Sequence, residues 1–157
     1  MSDTMILYVT RTGTSRGIAE KLGLELGAPV HEIVDLVKRK GLLGFIKSGY
    51  QASSKQATPI QDPMVDLAGV RYLIFVQPVW ASAVTPPLRT WMRGHQTDLA
   101  GKKLGLLCTN LGSPGDRVLA AWNAEFAPLA AFTVVSAKIS ATAKSDAIRS
   151  FLSQLRA

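Results

Sequence analysis

Residues 5–26 read MILYVTRTGTSRGIAEKLGLEL, and this stretch decides the fold. Its first six residues, Met5 to Thr10, form a short, almost wholly apolar run rich in β-forming side chains, the pattern of a strand buried on both faces. From Ser15 to Leu26 the period changes. Ile18, Ala19, Leu22 and Leu26 recur at helical spacing, while Arg16, Glu20, Lys21 and Glu25 fall largely elsewhere around the axis. Gly27 and Pro29 end that helix. A doubly buried strand that runs straight into an amphipathic helix belongs to a parallel sheet, whose faces are covered by helical crossovers.

The alternation continues to the C-terminus. A more polar strand is expected at 29–34 (PVHEIV), a plain one at 71–77 (RYLIFVQ), a fourth at 102–108 (KKLGLLC) and a fifth at 132–139 (FTVVSAKI). Between the third and fourth, Thr85 before Pro86 and Pro87 reads as a helix cap with proline at the first turn, and Leu88, Trp91 and Met92 form a buried stripe up to Gly94. Two further helices fit 116–129 and 144–156, the last carrying Ile148, Phe151, Leu152 and Leu155. Five strands alternating with helices predict one α/β domain over residues 1–157, a three-layer sandwich with helices on both faces of a parallel sheet. In such a fold a ligand binds beyond the carboxyl ends of the strands, so the loops after the first, third and fourth strands are the candidate site.

The composition sets limits on the chemistry. The chain has 157 residues, 18% of them charged and 47% hydrophobic, which suits a globular core. Its 18 Lys plus Arg against 11 Asp plus Glu leave a net charge of +7. Cys108, as the sole cysteine, rules out an intramolecular disulfide, and with two histidines the chain has too few soft ligands for a protein-held zinc or iron–sulfur site. His31 and His95 stand without a matching nucleophile, and no G-x-S-x-G occurs, so a hydrolase triad has no support. Met1 to Thr4 carry Asp3 and no basic cluster, and the apolar run behind them is too short for a signal segment or a membrane span, so the cytoplasm is the expected location. Basic and aromatic residues do not interleave, which argues against a nucleic-acid partner.

The first loop, Thr10-Arg11-Thr12-Gly13-Thr14-Ser15, has hydroxyls at four of six positions and leads into a helix N-terminus, where free N–H groups and the macrodipole attract an anion. It is neither G-x-x-x-x-G-K-[ST] nor G-x-G-x-x-G, so a single terminal phosphate fits better than a triphosphate or a dinucleotide. An ordinary capped turn is the plain alternative. The second loop, Pro78 to Pro87, contains Trp80, whose flat indole suits a flat heteroaromatic or, equally, the core. The third, Thr109 to Asp116, is polar and glycine-rich and suits main-chain contact with a ligand edge.

The pattern Thr10-x-Thr12-Gly13-x-Ser15 directly after the first strand resembles the phosphate loop of flavodoxins. So does the run from Tyr72 to Ala81, with its Pro78-Val79-Trp80-Ala81 end, followed by Pro86-Pro87-Leu88-Arg89, and the strand from Gly101 to Thr109 has the same look. The resemblance implies sheet order 2-1-3-4-5 and a non-covalent FMN. Thr10, Arg11, Thr12, Gly13, Thr14 and Ser15 would hold its phosphate, Pro78, Val79, Trp80, Ala81 and Ser82 would flank its ring, and Thr109, Asn110, Leu111, Gly112, Gly115 and Asp116 would close the other side. It implies electron transfer to a redox partner protein. The alternatives are reduction of a quinone-like acceptor by reduced nicotinamide on FMN, or a flavin-free module that binds an acidic partner.

The chain departs from flavodoxins in three ways. Those proteins are acidic, whereas here Lys38, Arg39, Lys40, Lys47 and Lys55 fall in the acid-free stretch Leu36 to Gln61, whose segment Gly41 to Tyr50 reads as an amphipathic cover helix or as a partner or membrane-surface contact. The third loop has no aromatic residue, which would leave one ring face open. No glycine lies between Val70 and Arg93, where the resemblance implies a flexible peptide beside the flavin. Positive charge near the ring favours reduced FMN, with Arg11 nearest by sequence and Arg16 and Arg89 next.

Overall fold

The computed structural model describes residues 2–37, 43–44, 46–47, 50–51, 55–110, 115–136 and 138–157. Five parallel strands form one sheet: β1 (Thr4–Tyr8), β2 (Val30–Glu32), β3 (Tyr72–Pro78), β4 (Lys103–Asn110) and β5 (Ala131–Ser136). Their order is β2-β1-β3-β4-β5, as the resemblance to flavodoxins implies. One row of partners crosses the whole sheet, Val30 beside Ile6, then Ile74, Gly105 and Ala131. The helices that pack on its two faces are α1 (Thr14–Leu26), α2 (Pro86–His95), α3 (Asp116–Glu125) and α4 (Ala141–Arg156).

Because side chains alternate along a strand, the doubly buried runs divide into two cores. Leu7, Phe75, Leu106 and Cys108 point to one face, where they meet Leu88 and Trp91 of α2 and Trp122 of α3. Phe75 lies edge-on to Trp91 with ring centres 5.6 Å apart. Ile6, Tyr8, Ile74, Val76 and Leu107 point to the other face, against Ala19 and Leu22 of α1 and Phe151 and Leu155 of α4. Gly105 is required by this second core, since a Cβ there would lie 2.6 Å from Phe151 Cζ.

Several element ends differ from the sequence expectation. The strand expected at 29–34 stops at Glu32. Ile33 N still bonds Tyr8 O, but Val34–Asp35 turns away to pair antiparallel with Ile60–Gln61. β5 ends at Ser136 rather than 139. The helix expected to reach 129 stops at Glu125, because Phe126 is extended and Pro128 follows. α4 starts at Ala141 rather than 144, since Ser140 Oγ accepts the Ala143 N–H at 3.1 Å and caps it there. Of the expected amphipathic segment 41–50, residues 41–42, 45 and 48–49 lie outside the described residues.

Candidate functional site

The carboxyl ends of β1, β3 and β4 lie side by side and bring the three expected loops together. Val9 N bonds Val76 O, and Val79 N bonds Thr109 O, each at 2.9 Å. Ser15 Oγ at the start of α1 lies 3.0 Å from Thr109 Oγ1, and both residues are buried. This hydroxyl pair ties the first loop to the third across the end of β3. Ser15 therefore positions the loop from below, while the hydroxyls that face outward are those of Thr12 and Thr14, exposed and 3.5 Å apart.

Thr10 Oγ1 accepts the Gly13 N–H at 2.9 Å and bends the chain into the helix. Gly13 takes φ 95°, a conformation that favours glycine, and its exposed Cα leaves the approach to the loop open. No side chain caps α1, and no acidic residue occupies its first turn. The partial positive charge of this N-terminus is thus left for an outside acceptor, with two hydroxyls beside it.

The second loop is a tight turn. Ala83 N bonds Trp80 O at 3.2 Å, and both central residues are left-handed, Ala81 at φ 51° and Ser82 at φ 54°. Two such residues without glycine are strained. The buried amide of Gln77 helps hold them: its Oε1 accepts from Thr85 N at 2.9 Å and from Thr85 Oγ1 at 3.0 Å, and its Nε2 donates to Ala83 O. The turn folds the Trp80 indole back into the core, where only 5% of the residue is exposed. The open stacking face expected of Trp80 is therefore not presented. The turn instead offers outward Ala81, which is exposed, and Ser82, which is half-buried, beside half-buried Pro78 and Val79.

In the third loop Thr109 is buried, Asn110 and Gly115 are half-buried and Asp116 is exposed at the start of α3, whereas Leu111 and Gly112 lie outside the described residues. Burial pushes the Cys108 thiol up to about 12, against a weak hydrogen bond from Gln77, so it stays protonated and serves as core.

Of the arginines expected to bias a ring electrostatically, Arg16 and Arg89 pair with carboxylates. Arg16 Nη2 pairs with Glu32 Oε2 at 3.0 Å, and its Nε donates to Tyr8 Oη at 3.2 Å. Burial raises the Tyr8 phenol above its ordinary range, against the pull of that Arg16 hydrogen bond. Arg89 is wholly buried. Its Nε and Nη2 donate to the two Glu125 oxygens at 2.8 and 3.1 Å, and its Nη1 donates to Gln56 O at 2.9 Å. Sequence reasoning missed Gln77 and Glu125. Gln77 had a signal, an amide inside an apolar strand just ahead of Pro78, whereas Glu125 had none, because its partner lies 36 residues away.

Comparison with solved structures places this architecture. A Bacteroides eggerthii protein assigned as a flavoprotein superposes with a TM-score of 0.78 at 20% identity, covering 100% of this chain and 99% of that one. The fold is flavodoxin-like. A flavoprotein from Lactobacillus acidophilus, solved in complex with FMN, matches at TM-score 0.70 and 16% identity over 87% of this chain and 91% of that one. A WrbA-like flavodoxin from Agrobacterium tumefaciens matches at 0.59 and 14% over 99% and 94%. No family model and no curated protein matches the sequence. In the flavodoxin-like frame the three loops lie at the carboxyl edge of the sheet, where the strand order reverses between β1 and β3. Among the described residues, no helix is long and apolar enough to cross a membrane.

Proposed function

We propose that this protein binds FMN without a covalent bond and works as a flavin redox protein. The observation that carries the reading is the uncapped, acid-free N-terminus of α1, entered through open Gly13 and flanked by the exposed hydroxyls of Thr12 and Thr14. These groups suit a phosphate dianion: main-chain N–H groups and two hydroxyls supply hydrogen bonds, and the helix dipole supplies favourable potential. Thr10 and Ser15 hold the loop in shape from inside. Gln77 fixes the Ala81–Ser82 turn, whose main chain would border the flat ring. FMN, when bound, supplies one- and two-electron chemistry that no side chain of the site can supply.

A second reading, reduction of a quinone-like acceptor by reduced nicotinamide, is favoured by the buried Trp80. With the indole in the core, the turn places no aromatic side chain over the ring, and a ring face left open admits a flat substrate. FMN held by the first loop would supply the two-electron chemistry, and the open face beside Ala81 and Ser82 would receive the flat acceptor.

The test is binding of FMN against riboflavin, which lacks the phosphate. FMN should bind at least tenfold more tightly, and Thr12→Ala with Thr14→Ala should erase about a hundredfold or more of FMN affinity while leaving riboflavin unchanged, since two hydrogen bonds to a charged group, each worth about 1.5–3 kcal/mol, are lost together. Equal affinity for both flavins would remove the phosphate-loop assignment. A folded protein that takes up neither would remove the flavin reading altogether.

A further inference from the structure

Helices α1 and α4 follow parallel strands, so both start at the carboxyl edge of the sheet and run away from it over the same face. Between them lies a cavity of about 420 Å³ to which the three loops of the proposed flavin site contribute nothing. Its walls are aliphatic. Leu22 and Val135 are buried, and Ile18, Ile148 and Leu152 are half-buried against the second core. Ile18 and Leu22 on one side, and Lys144, Ile148 and Leu152 on the other, recur every fourth residue, so one stripe of each helix faces the space. No aromatic residue lines it.

A lysine enters from each helix, Lys21 from α1 and Lys144 from α4. Among the described residues neither forms an ion pair, and Lys144 is half-buried, although a lysine ammonium ordinarily reaches water. Arg149 on the same wall is offset by Asp146 at 3.4 Å. The one carboxylate in the lining, Glu25, stands about 16 Å along α1 from its start, whereas Lys144 stands about 4.5 Å along α4, so the cavity is cationic toward the carboxyl edge and acidic at its far end. Two unpaired cations that face one space from opposite sides repel each other until an anion lies between them. The volume falls in the range of small-molecule sites, roughly 300–1,000 Å³. A flat aromatic ligand would find no ring to stack on. A neutral aliphatic one would leave both ammonium groups unanswered, and a second copy of the chain would bring the same cations. An aliphatic chain with one anionic end meets both the walls and the charges.

We propose that the groove between α1 and α4 binds an aliphatic acid, with its carboxylate between Lys21 and Lys144 and its chain laid along Ile18, Ile148 and Leu152. From Ala141 to Leu152 the groove runs about 16 Å along α4, room for an extended acyl chain. It shares no residue with the first, second or third loop and stands independently of the FMN reading.

The test is titration of the isotope-labelled full chain with sodium octanoate, followed through amide chemical shifts, with octan-1-ol as the uncharged control. Octanoate should saturate and shift the amides of Lys21, Leu22, Ser145 and Ile148, and octan-1-ol should bind at least about fivefold more weakly. Lys21→Gln with Lys144→Gln should cost octanoate at least about fivefold and leave octan-1-ol unchanged. Ser145→Trp, at an exposed residue of the groove wall, should fill the space and abolish binding of both. Unchanged far-ultraviolet dichroism and melting temperature are expected and show that the variants fold. Absence of a saturable shift with octanoate overturns the proposal. So does saturation that Ser145→Trp leaves intact, or that moves the amides of Thr12 to Ser15 instead, which would place the anion at the first loop. Equal affinity for octanoate and octan-1-ol, or octanoate affinity that the double lysine variant keeps in full, would take the acid out of the site and likewise overturn it.

Discussion

Arg89 carries a full charge with none of its surface exposed, and Glu125 together with the Gln56 carbonyl accounts for it. Such a pair is retained as a unit because removing one partner leaves a buried charge alone. The same logic at lower stakes governs Asp62. Its Oδ2 lies 2.7 Å from His95 Nε2, and the His95 ring stacks on Trp91 with centres 4.3 Å apart while its other nitrogen faces Asp98. Burial alone would raise the Asp62 carboxyl, but the hydrogen bonds from His95 and the Met64 N–H, with the attraction of His95, outweigh it and hold the group below the ordinary carboxylate range. A depressed folded value means the stabilisation is present above the unfolded value and is lost as pH falls through the folded one. Asp62→Asn is therefore expected to destabilise the protein near about pH 7 and to lose most of that effect near about pH 3. Urea denaturation at both values checks this, and an equal gap at both would show that the carboxylate charge plays no part. Residue-level facts of this sort were the least legible in the sequence. The Ser15–Thr109 hydroxyl pair spans 94 positions, and the burial of Trp80 depends on a left-handed Ala81–Ser82 turn that propensities assign to Gly or Asn.

Elements were more legible, because their signals are local and repeated. The doubly apolar strands, the Pro86–Pro87 helix start and the Ile148–Leu155 stripe all appear where periodicity puts them. Their ends moved where a single contact decides them, as with the Ser140 cap. The fit of α4 on β4 rests on a smaller feature that composition does not reveal. Gly105 leaves the space that Phe151 fills, and Leu155 Cδ1 would also lie only 3.3 Å from an added Cβ. Gly105→Ala forces the aromatic ring off its site, an overpacking change of about 1–3 kcal/mol. The same substitution at exposed Gly94, where an added Cβ meets nothing, should be neutral or stabilising. Thermal denaturation of the two variants separates packing from backbone entropy, and an unchanged melting temperature for Gly105→Ala would mean that α4 sits further from the sheet than its Phe151 contact requires.

Across the whole molecule, the net charge of +7 looks at first like a uniform positive field around any bound flavin. The ion pairs reduce that picture. Arg16 is offset by Glu32 and Arg89 by Glu125, while charges far from the carboxyl edge are screened beyond a Debye length of about 10 Å. Arg156 is such a charge: α4 begins at the site's edge of the sheet and runs 16 residues to it, about 24 Å at 1.5 Å per residue. Arg11 lies within the Thr10–Ser15 loop itself. Reduced FMN is more negative than oxidised FMN, so a nearby cation favours the reduced form. A unit charge at about 10 Å is worth roughly 0.4 kcal/mol in water, or about 20 mV for one electron. On the FMN reading, Arg11→Gln should therefore lower the midpoint potential of the loaded protein by about 20 mV or more, whereas Arg156→Gln should leave it unmoved. A spectroelectrochemical titration of the three proteins at low and high salt decides the matter. Equal shifts in both variants, vanishing together at high salt, would return the potential to the overall charge of the molecule.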